Sequence, residues 1–412
     1  MKYAFLIPIL LVFLVSTCFS APETGATEVG GNFWFRYHMD RADESTQRSG
    51  FNVERGYIGL GYGWTPQVSG QMTVNVFSSP STGGTNGWNV ELRDAYLNLG
   101  YFVPHGKIRA GLQKNYFGTV HDWKYLTVRR SLANAVGVVQ ERDYGIAFLG
   151  TIPDGMGEWT VGIMNGEGFS SGLAPGYADR QPGIMATVRL MPLRETVVGF
   201  SVLRDKRYVY QWDQTVFTRQ NSIAYEDRTA FSVMGRVGSG PLSLMGEYLY
   251  YDYPIPDRDS PNECAVSVKG TGFSVFPMLR VTEKFDVVGR YDMWDPDKDS
   301  DRSIGRVETS TYTALDSDIY AKSPTTWWFP GDYSFEYYNV SHNVYTVGFN
   351  YNLTDRMEGS PGVVIQVNWQ RMDPQEDLEW YDTVTEETTK QVLDPVDSFI
   401  FQLRWGWGGL DM

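Results

Sequence analysis

Residues 397–407 read DSFIFQLRWGW, and a two-residue spacing sorts them: Phe399, Phe401, Leu403, Trp405 and Trp407 fall on one side, Ile400, Gln402, Arg404 and Gly406 on the other. Successive side chains of an extended strand point to opposite faces, so this is a strand with one aromatic-rich apolar face and one partly charged face. Two architectures use such a strand. In a soluble sandwich the apolar face packs on a core and the polar face meets water. In a closed sheet set in a bilayer the apolar face meets hydrocarbon and the polar face lines an interior. The same alternation recurs where Tyr345, Val347, Phe349, Tyr351 and Leu353 oppose Thr346, Gly348, Asn350 and Asn352, and where Phe285, Val287, Gly289, Tyr291 and Met293 oppose Asp286, Val288, Arg290 and Asp292. Val363–Trp369 and Ile108–Leu112 repeat it, Ile108, Ala110 and Leu112 opposing Arg109, Gly111 and Gln113. Periodicity alone leaves both architectures open.

The first residues bear on the choice. Lys2 precedes an apolar run from Ala4 to Val15, followed by Ser16, Thr17, Ser20 and Ala21, the layout of a secretory signal peptide. Residues 1–21 are expected to be the signal, cut near Ser20 or Ala21, and 22–412 a single barrel domain with long extracellular loops. Lipoprotein processing at Cys18 is a rival, but Thr17 fits poorly before the cysteine. No later run of 18 apolar residues exists, so no membrane-crossing helix is expected. Cys264 would be the one cysteine left, which excludes an internal disulfide framework. Losing Lys2 moves the formal charge from -14 to -15. Aromatics at 15% and 43 glycines suit a wall of strands with tight turns.

The connections come in two kinds. Short ones lie near Trp64–Pro66, Phe102–His105, Ile152–Gly155, Met191–Arg194, Gly238–Gly240, Val281–Glu283 and Asp355–Ser360. Long or polar ones lie at Asp40–Gly50, Ser79–Gly87, Asn115–Val139, Gly166–Arg180, Tyr208–Tyr225, Pro254–Asn262, Asp295–Asn339 and Arg371–Pro395. Seven short turns and eight long loops join sixteen strands, with fourteen and eighteen as alternatives and Pro277 arguing against an unbroken strand over Phe273–Thr282. The expected fold is all-β: a transmembrane antiparallel β-barrel of 16 strands with an inward-folded third extracellular loop, in a Gram-negative-type outer membrane after signal-dependent export. A barrel of that size leaves an aqueous interior.

The third loop, Asn115–Val139, carries Lys124, Arg129 and Arg130 against Asp122 alone, together with Tyr125, Leu126, Val128, Leu132 and Val138. Folded inward, it would pack its apolar residues on the wall and present its basic groups to the pathway. Basic groups in a narrow passage attract anions, and carboxylate rings favour cations. The expected pathway residues are Lys124, Arg129 and Arg130, with Arg36, Arg109, Gln113, Arg290, Asp292 and Arg404 on the wall and His38 beside them. Equally open is a structural use of Arg129 and Arg130, pairing with Glu141 and Asp143. Acidic runs at Asp295–Asp301 and Asp373–Glu387 read as solvated loops, which could instead gather cations at the mouth.

Other classes find little support. The four histidines, His38, His105, His121 and His342, are scattered with no neighbouring nucleophile, so no catalytic set and no enzyme is expected. No metal-ligand spacing or cofactor motif is present, and the acidic balance disfavours nucleic acid. A structural or adhesive barrel closed by its loops is the competing reading, since Asp295–Asn339 contains Trp327, Trp328, Phe329 and Tyr333, enough aromatic surface to plug a mouth.

Leu92–Leu97 (LRDAYL) and Gly106–Lys114 (GKIRAGLQK), then Arg129–Ser131, Asn134, Glu141–Gly145 (ERDYG), Asn165–Gly166 and Val347–Leu353, resemble the phosphate-selective porin O and P family and related Gram-negative outer-membrane porins. The tight cluster covers Val90–Gly166. The resemblance implies a sixteen-stranded channel, homotrimeric, for passive diffusion of small anions or other solutes, placed in outer-membrane lipid by the barrel assembly machinery. The arginine ladder and lysine cluster of the phosphate specialists find no recognisable match, so phosphate itself is not carried over. Barrels of this kind commonly end on an aromatic residue, whereas Gly408–Met412 follow Trp407 here. If Trp407 closes the assembly signal, deleting Gly408–Met412 leaves a heat-modifiable barrel in the outer membrane. Loss of that folded band on gels would contradict the expectation.

Overall fold

The structure is a computed structural model that describes residues 24–42, 45–79, 87–120, 130–165, 182–193, 195–213, 218–256, 265–296, 298, 341–354, 362–375, 378–382, 387–391 and 395–407. The signal segment expected at 1–21 lies outside them. In chain order the strands are β1 (Thr27–Ala42), β2 (Ser45–Thr65), β3 (Val68–Ser79), β4 (Gly87–Leu99), β5 (Gly106–Lys114), β6 (Arg142–Ile152), β7 (Gly157–Met164), β8 (Gly183–Leu193) and β9 (Thr196–Asp213). They continue with β10 (Thr218–Ser239), β11 (Leu242–Pro256), β12 (Ala265–Arg280), β13 (Phe285–Asp295), β14 (His342–Asn352), β15 (Val363–Pro374), β16 (Leu378–Asp382), β17 (Glu387–Gln391) and β18 (Val396–Trp407). Sixteen of them, β1–β15 and β18, form one closed antiparallel barrel in which each strand pairs with its chain neighbours and β18 pairs with β1. Fourteen and eighteen wall strands are thereby excluded. β16 and β17 pair only with each other, a hairpin inside the last long connection.

The faces are inverted relative to a soluble sheet. On β18, Phe399 and Trp407 are each 43% exposed, while Gln402 and Arg404 are 1% and 3% exposed. Along β15 the amides of Gln366, Asn368 and Gln370 are likewise buried. Apolar side chains outside and polar side chains inside are stable only where the outer solvent is hydrocarbon. Aromatic residues concentrate at the two ends of the outer wall. Tyr62 meets Trp64 and Tyr101 meets Phe102 at the short-turn end, and Phe231 stacks on Tyr250 and Tyr291 lies tilted against Tyr345 toward the long-loop end. Such rings suit the two membrane–water interfaces.

Closure is fixed from both sides. Outside, Phe33 of β1 stacks on Trp405 and Trp407 of β18, with ring centroids 5.4 and 6.0 Å away. Trp407 lies over Gly31, where an added Cβ would sit 2.0 Å from the indole. Inside, Arg36 Nε donates to Gln402 at 3.0 Å, Gln402 donates to Gln366 at 2.8 Å and Gln366 to Asn350 at 2.9 Å, a belt crossing four strands. A one-residue slip would turn each of these polar groups into lipid.

Several loop boundaries differ from expectation. Most of Asp40–Gly50 and of Tyr208–Tyr225 is strand, because β1–β2 and β9–β10 continue pairing past the apolar band. Pro277 lies inside β12: it pairs with Leu244 of β11, while the ladder to β13 skips Phe276 and Pro277, opposite Arg290 and Gly289. The missing donor of proline is thus accommodated by a local gap rather than a strand break. Leu112, expected with the outward apolar face of β5, is buried, and the alternation fails beside Gly111, whose φ of 125° is a glycine conformation.

Within Asn115–Val139, residues 121–129 lie outside the description. On either side of them, Tyr116, Phe117, Leu132, Ala133, Val138 and Val139 join one buried cluster with inward residues of the wall, among them Leu149, Met164, Leu203 and Leu249. Leu132–Ala135 form a single helical turn, α1, all of it buried.

The seam yields a direct expectation. Trp407→Ala should lower barrel stability by about 0.5–1.5 kcal/mol through lost stacking, and Gly31→Val should do at least as much by displacing the indole. The temperature at which the folded gel band converts to the unfolded one measures both.

Candidate functional site

Strict alternation sends one of any two adjacent strand residues into lipid, where a charge is costly. Two places in the wall avoid that with a bulge. The β1–β2 register shifts between Trp34/Phe35 and Arg55/Val53, leaving Glu54 as the extra residue, and the β3–β4 register shifts between Thr73/Val74 and Asp94/Leu92, leaving Arg93. A bulge re-aims side chains locally. Both members of each pair are consequently buried on the inner side, Glu54 with Arg55 and Arg93 with Asp94.

These four groups seed a connected network on β1–β6. Arg55 grips Glu141 with two nitrogens, at 2.9 and 3.1 Å, and donates to Tyr57 Oη at 2.7 Å. Arg93 reaches the same carboxylate at 3.7 Å. Arg142 Nε donates to Asp94 at 2.7 Å, and Arg36 lies 3.3 Å from Glu54. Guanidinium planes also rest on aromatic faces: Arg93 over Tyr57 at 3.5 Å, Arg109 over Tyr96 at 3.9 Å and Arg55 over Trp34 at 4.9 Å. Arg109 is tied further to Asn98 at 2.9 Å and to Tyr116 Oη at 2.7 Å. Four arginines (36, 55, 93, 142) thus meet three carboxylates (54, 94, 141), Arg109 joins the cluster through Tyr96, Asn98 and Tyr116, and stacking with bidentate pairing fixes where these charges sit.

Glu141, just ahead of β6, shows the field of this cluster. Burial alone would raise its pKa, but Arg55, Arg130 and Arg93 outweigh burial and hold the carboxyl well below the usual carboxylate range. Arg130 therefore acts on Glu141 without being its main partner, which is Arg55.

The expected pathway residues fall into two groups. Arg36 and Arg109 belong to the network, and Gln113, fully buried, donates to the carbonyls of Gly145 at 3.1 Å and Arg109 at 3.3 Å. Arg290 and Asp292 pair on β13 at 2.6 Å, where Arg290 also donates to the Arg130 carbonyl at 2.7 Å. Arg404 is buried on β18, opposite Trp34. Lys124 and Arg129 lie outside the described residues. His38 contacts Asp40 at 2.7 Å, and Ser398 donates to the same carboxylate at 2.9 Å. In that trio the aspartate is the common partner, so the arrangement differs from a hydroxyl activated by a histidine. Among the described residues no cluster of three metal-ligating side chains occurs.

Arg55, Arg93 and Arg142 were not among the pathway residues expected from sequence. Their signal was present: E-R at 54–55 and R-D at 93–94 are adjacent charges inside alternating strands, which demand a bulge or a charge in lipid.

No protein-family model matches the chain, and no curated protein matches it either. Solved structures do. Outer-membrane expressed OmpT of Vibrio cholerae is 12% identical with a TM-score of 0.57, covering 95% of this chain and 100% of its own. An anion-selective porin from Comamonas acidovorans is 11% identical with a TM-score of 0.58, covering 93% and 100%. OprB of Pseudomonas putida is 10% identical with a TM-score of 0.56, covering 95% and 100%. The likeness is one of fold. The chain is a multi-pass, sixteen-stranded antiparallel β-barrel whose fold resembles that of Gram-negative outer-membrane porins.

A carboxyl with a depressed folded pKa contributes its stability fully above the unfolded value and loses it as pH falls through the lowered one. For Glu141 that loss begins below about pH 4.5, its ordinary value. The unfolding temperature of the wild type should drop on acidification from neutral pH to below that point. Glu141→Gln should be less stable at neutral pH and lose less on acidification.

Proposed function

We propose that this protein is a passive channel: a water-filled outer-membrane pore for small ions or solutes, with a preference for anions. The observation that carries the reading is the arginine-rich inner wall of β1–β6, held in place by bulges and stacking inside a barrel whose exterior is apolar. Fixed positive groups beside a narrow passage lower the cost of an anion's lost hydration and raise it for a cation. The fold shared with an anion-selective porin is in keeping with this. Arg36, Arg109 and Arg404 supply wall charge in the proposal, joined by Arg55, Arg93 and Arg142, while the third loop as a whole folds inward and brings Lys124, Arg129 and Arg130 toward the passage. The working unit is a homotrimer set in outer-membrane lipid by the assembly machinery, and its action is diffusion rather than catalysis. The specific resemblance to the phosphate-selective porin O and P family belongs to this proposal too.

One observation favours a second reading, a structural or adhesive barrel with a closed lumen. Inner-face groups on β15, beside the belt that leads from Arg36, are almost inaccessible, with Gln366 and Asn368 at 0% and Gln370 at 2%. A planar-bilayer recording separates the two. The refolded protein should give steady conductance, and in a potassium chloride gradient its reversal potential should carry the sign of chloride preference. Arg55→Ala combined with Arg93→Ala should shift that potential toward cations. A cation-selective wild type would sink the anion preference, and the absence of any steady conductance would favour the closed barrel.

A further inference from the structure

His38 stands on the inner face of β1, between Arg36 and Asp40 in the same alternating row. Its side chain is 13% exposed, against 5% for Arg36 and 7% for Asp40, so of the three it is the nearest to solvent. Its register neighbours are Gly50 of β2 and Ile400 of β18, neither of which carries a charge. Its Nε2 lies 2.7 Å from Asp40 Oδ1, the same oxygen that Ser398 Oγ of β18 reaches at 2.9 Å. The imidazole is therefore tied to a carboxylate that is itself held across the closing seam.

The charged groups around it come from three directions. β1 supplies Arg36 and Asp40. β2 supplies Glu54, which lies 3.3 Å from Arg36 and within the field of His38, and Arg48, which opposes Asp40 in register. Arg55 and Arg130 act on the same Glu54, and β18 adds the neutral Ser398 and Gln402. Guanidinium groups keep their charge at any working pH, and carboxylates ordinarily change theirs below about pH 5. An imidazole is the side chain whose ordinary range lies between pH 5 and 8. His38 is the imidazole in this cluster of guanidinium and carboxylate groups.

We propose that His38 is a proton-operated charge on the passage wall, which strengthens the preference for anions as the pH outside the cell falls. Nδ1 takes the proton from water while Nε2 keeps the hydrogen it gives to Asp40, so the unit gains one positive charge without changing its hydrogen bonds. The bond to Asp40 then becomes charge-assisted from both sides. The inference rests on the channel reading above and adds regulation to it.

Reversal potentials of the refolded protein in a potassium chloride gradient, at pH 8 and at pH 5, test the effect. The chloride-over-potassium permeability ratio of the wild type should rise roughly twofold or more between them, as expected for one added charge beside the ion path. His38→Gln, whose amide nitrogen can donate to Asp40 but takes up no proton, should keep the pH 8 ratio at both values. His105→Asn, at a short turn on the other end of the wall, should respond as the wild type does. A wild-type ratio that does not change, or a His38→Gln ratio that rises as the wild type's does, would overturn the switch, the latter by assigning the response to other groups. Histidine-selective labelling and nuclear magnetic resonance give a readout independent of current: the imidazole signal missing from His38→Gln should move between pH 8 and pH 5. A silent wild-type protein would overturn the channel reading, whereas an imidazole signal fixed over that range would overturn the switch whatever the conductance. Should His38→Gln fail to refold, His38→Asn makes the same comparison.

Discussion

Everything in this molecule depends on the pairing of the first strand with the last. In hydrocarbon an unpaired backbone N–H or C=O has no water to turn to, so a sheet there must have no edges. The twelve-residue register from Gly31↔Trp407 to Ala42↔Val396 removes the final pair of edges. Because side chains alternate with a period of two, that one register also decides which groups meet lipid across the whole circumference. The aromatic stack outside and the Arg36–Gln402–Gln366–Asn350 belt inside specify the same answer independently.

Given closure, the interior becomes a place where charge can be arranged, and the bulges are how this chain exploits it. Glu54–Arg55 and Arg93–Asp94 each place two neighbouring charges on the inner side. Carboxylates then divide the labour: most hold arginines in fixed orientations, while Glu247 of β11 accepts the backbone N–H of Thr119. The wall beneath Tyr116–Thr119 is correspondingly built of small hydroxyl side chains, Thr187, Ser201 and Ser232, which leave room for a chain crossing above them.

The sheet was largely legible in the sequence because the apolar band imposes alternation wherever lipid touches the wall, as in Phe285–Met293 and Phe399–Trp407. Legibility ended where that constraint ended. Asp40–Gly50 reads as a polar loop, yet its backbone goes on pairing as β1 and β2, since a ladder above the membrane needs no apolar face. Pro277 reads as a break, but the strand tolerates it by omitting two partners on one side. Single pathway residues such as Arg36 and Arg109 follow from alternation, whereas Arg55 and Arg93 require the bulges to be recognised first. Glu247 had no local signal at all: its bond exists only because Thr119, 128 positions away, is folded beside it.

The length of β9 and β10 carries one last implication. With 18 and 22 residues, these strands far exceed the roughly 9–11 that cross a bilayer. At about 3.3 Å per residue and a tilt near 45°, β10 rises roughly 50 Å, about twice the height of the apolar band. One side of the mouth is therefore a parapet. Above the band the paired backbone alone makes the ridge, so its sequence escapes the alternation that lipid imposes on the wall below.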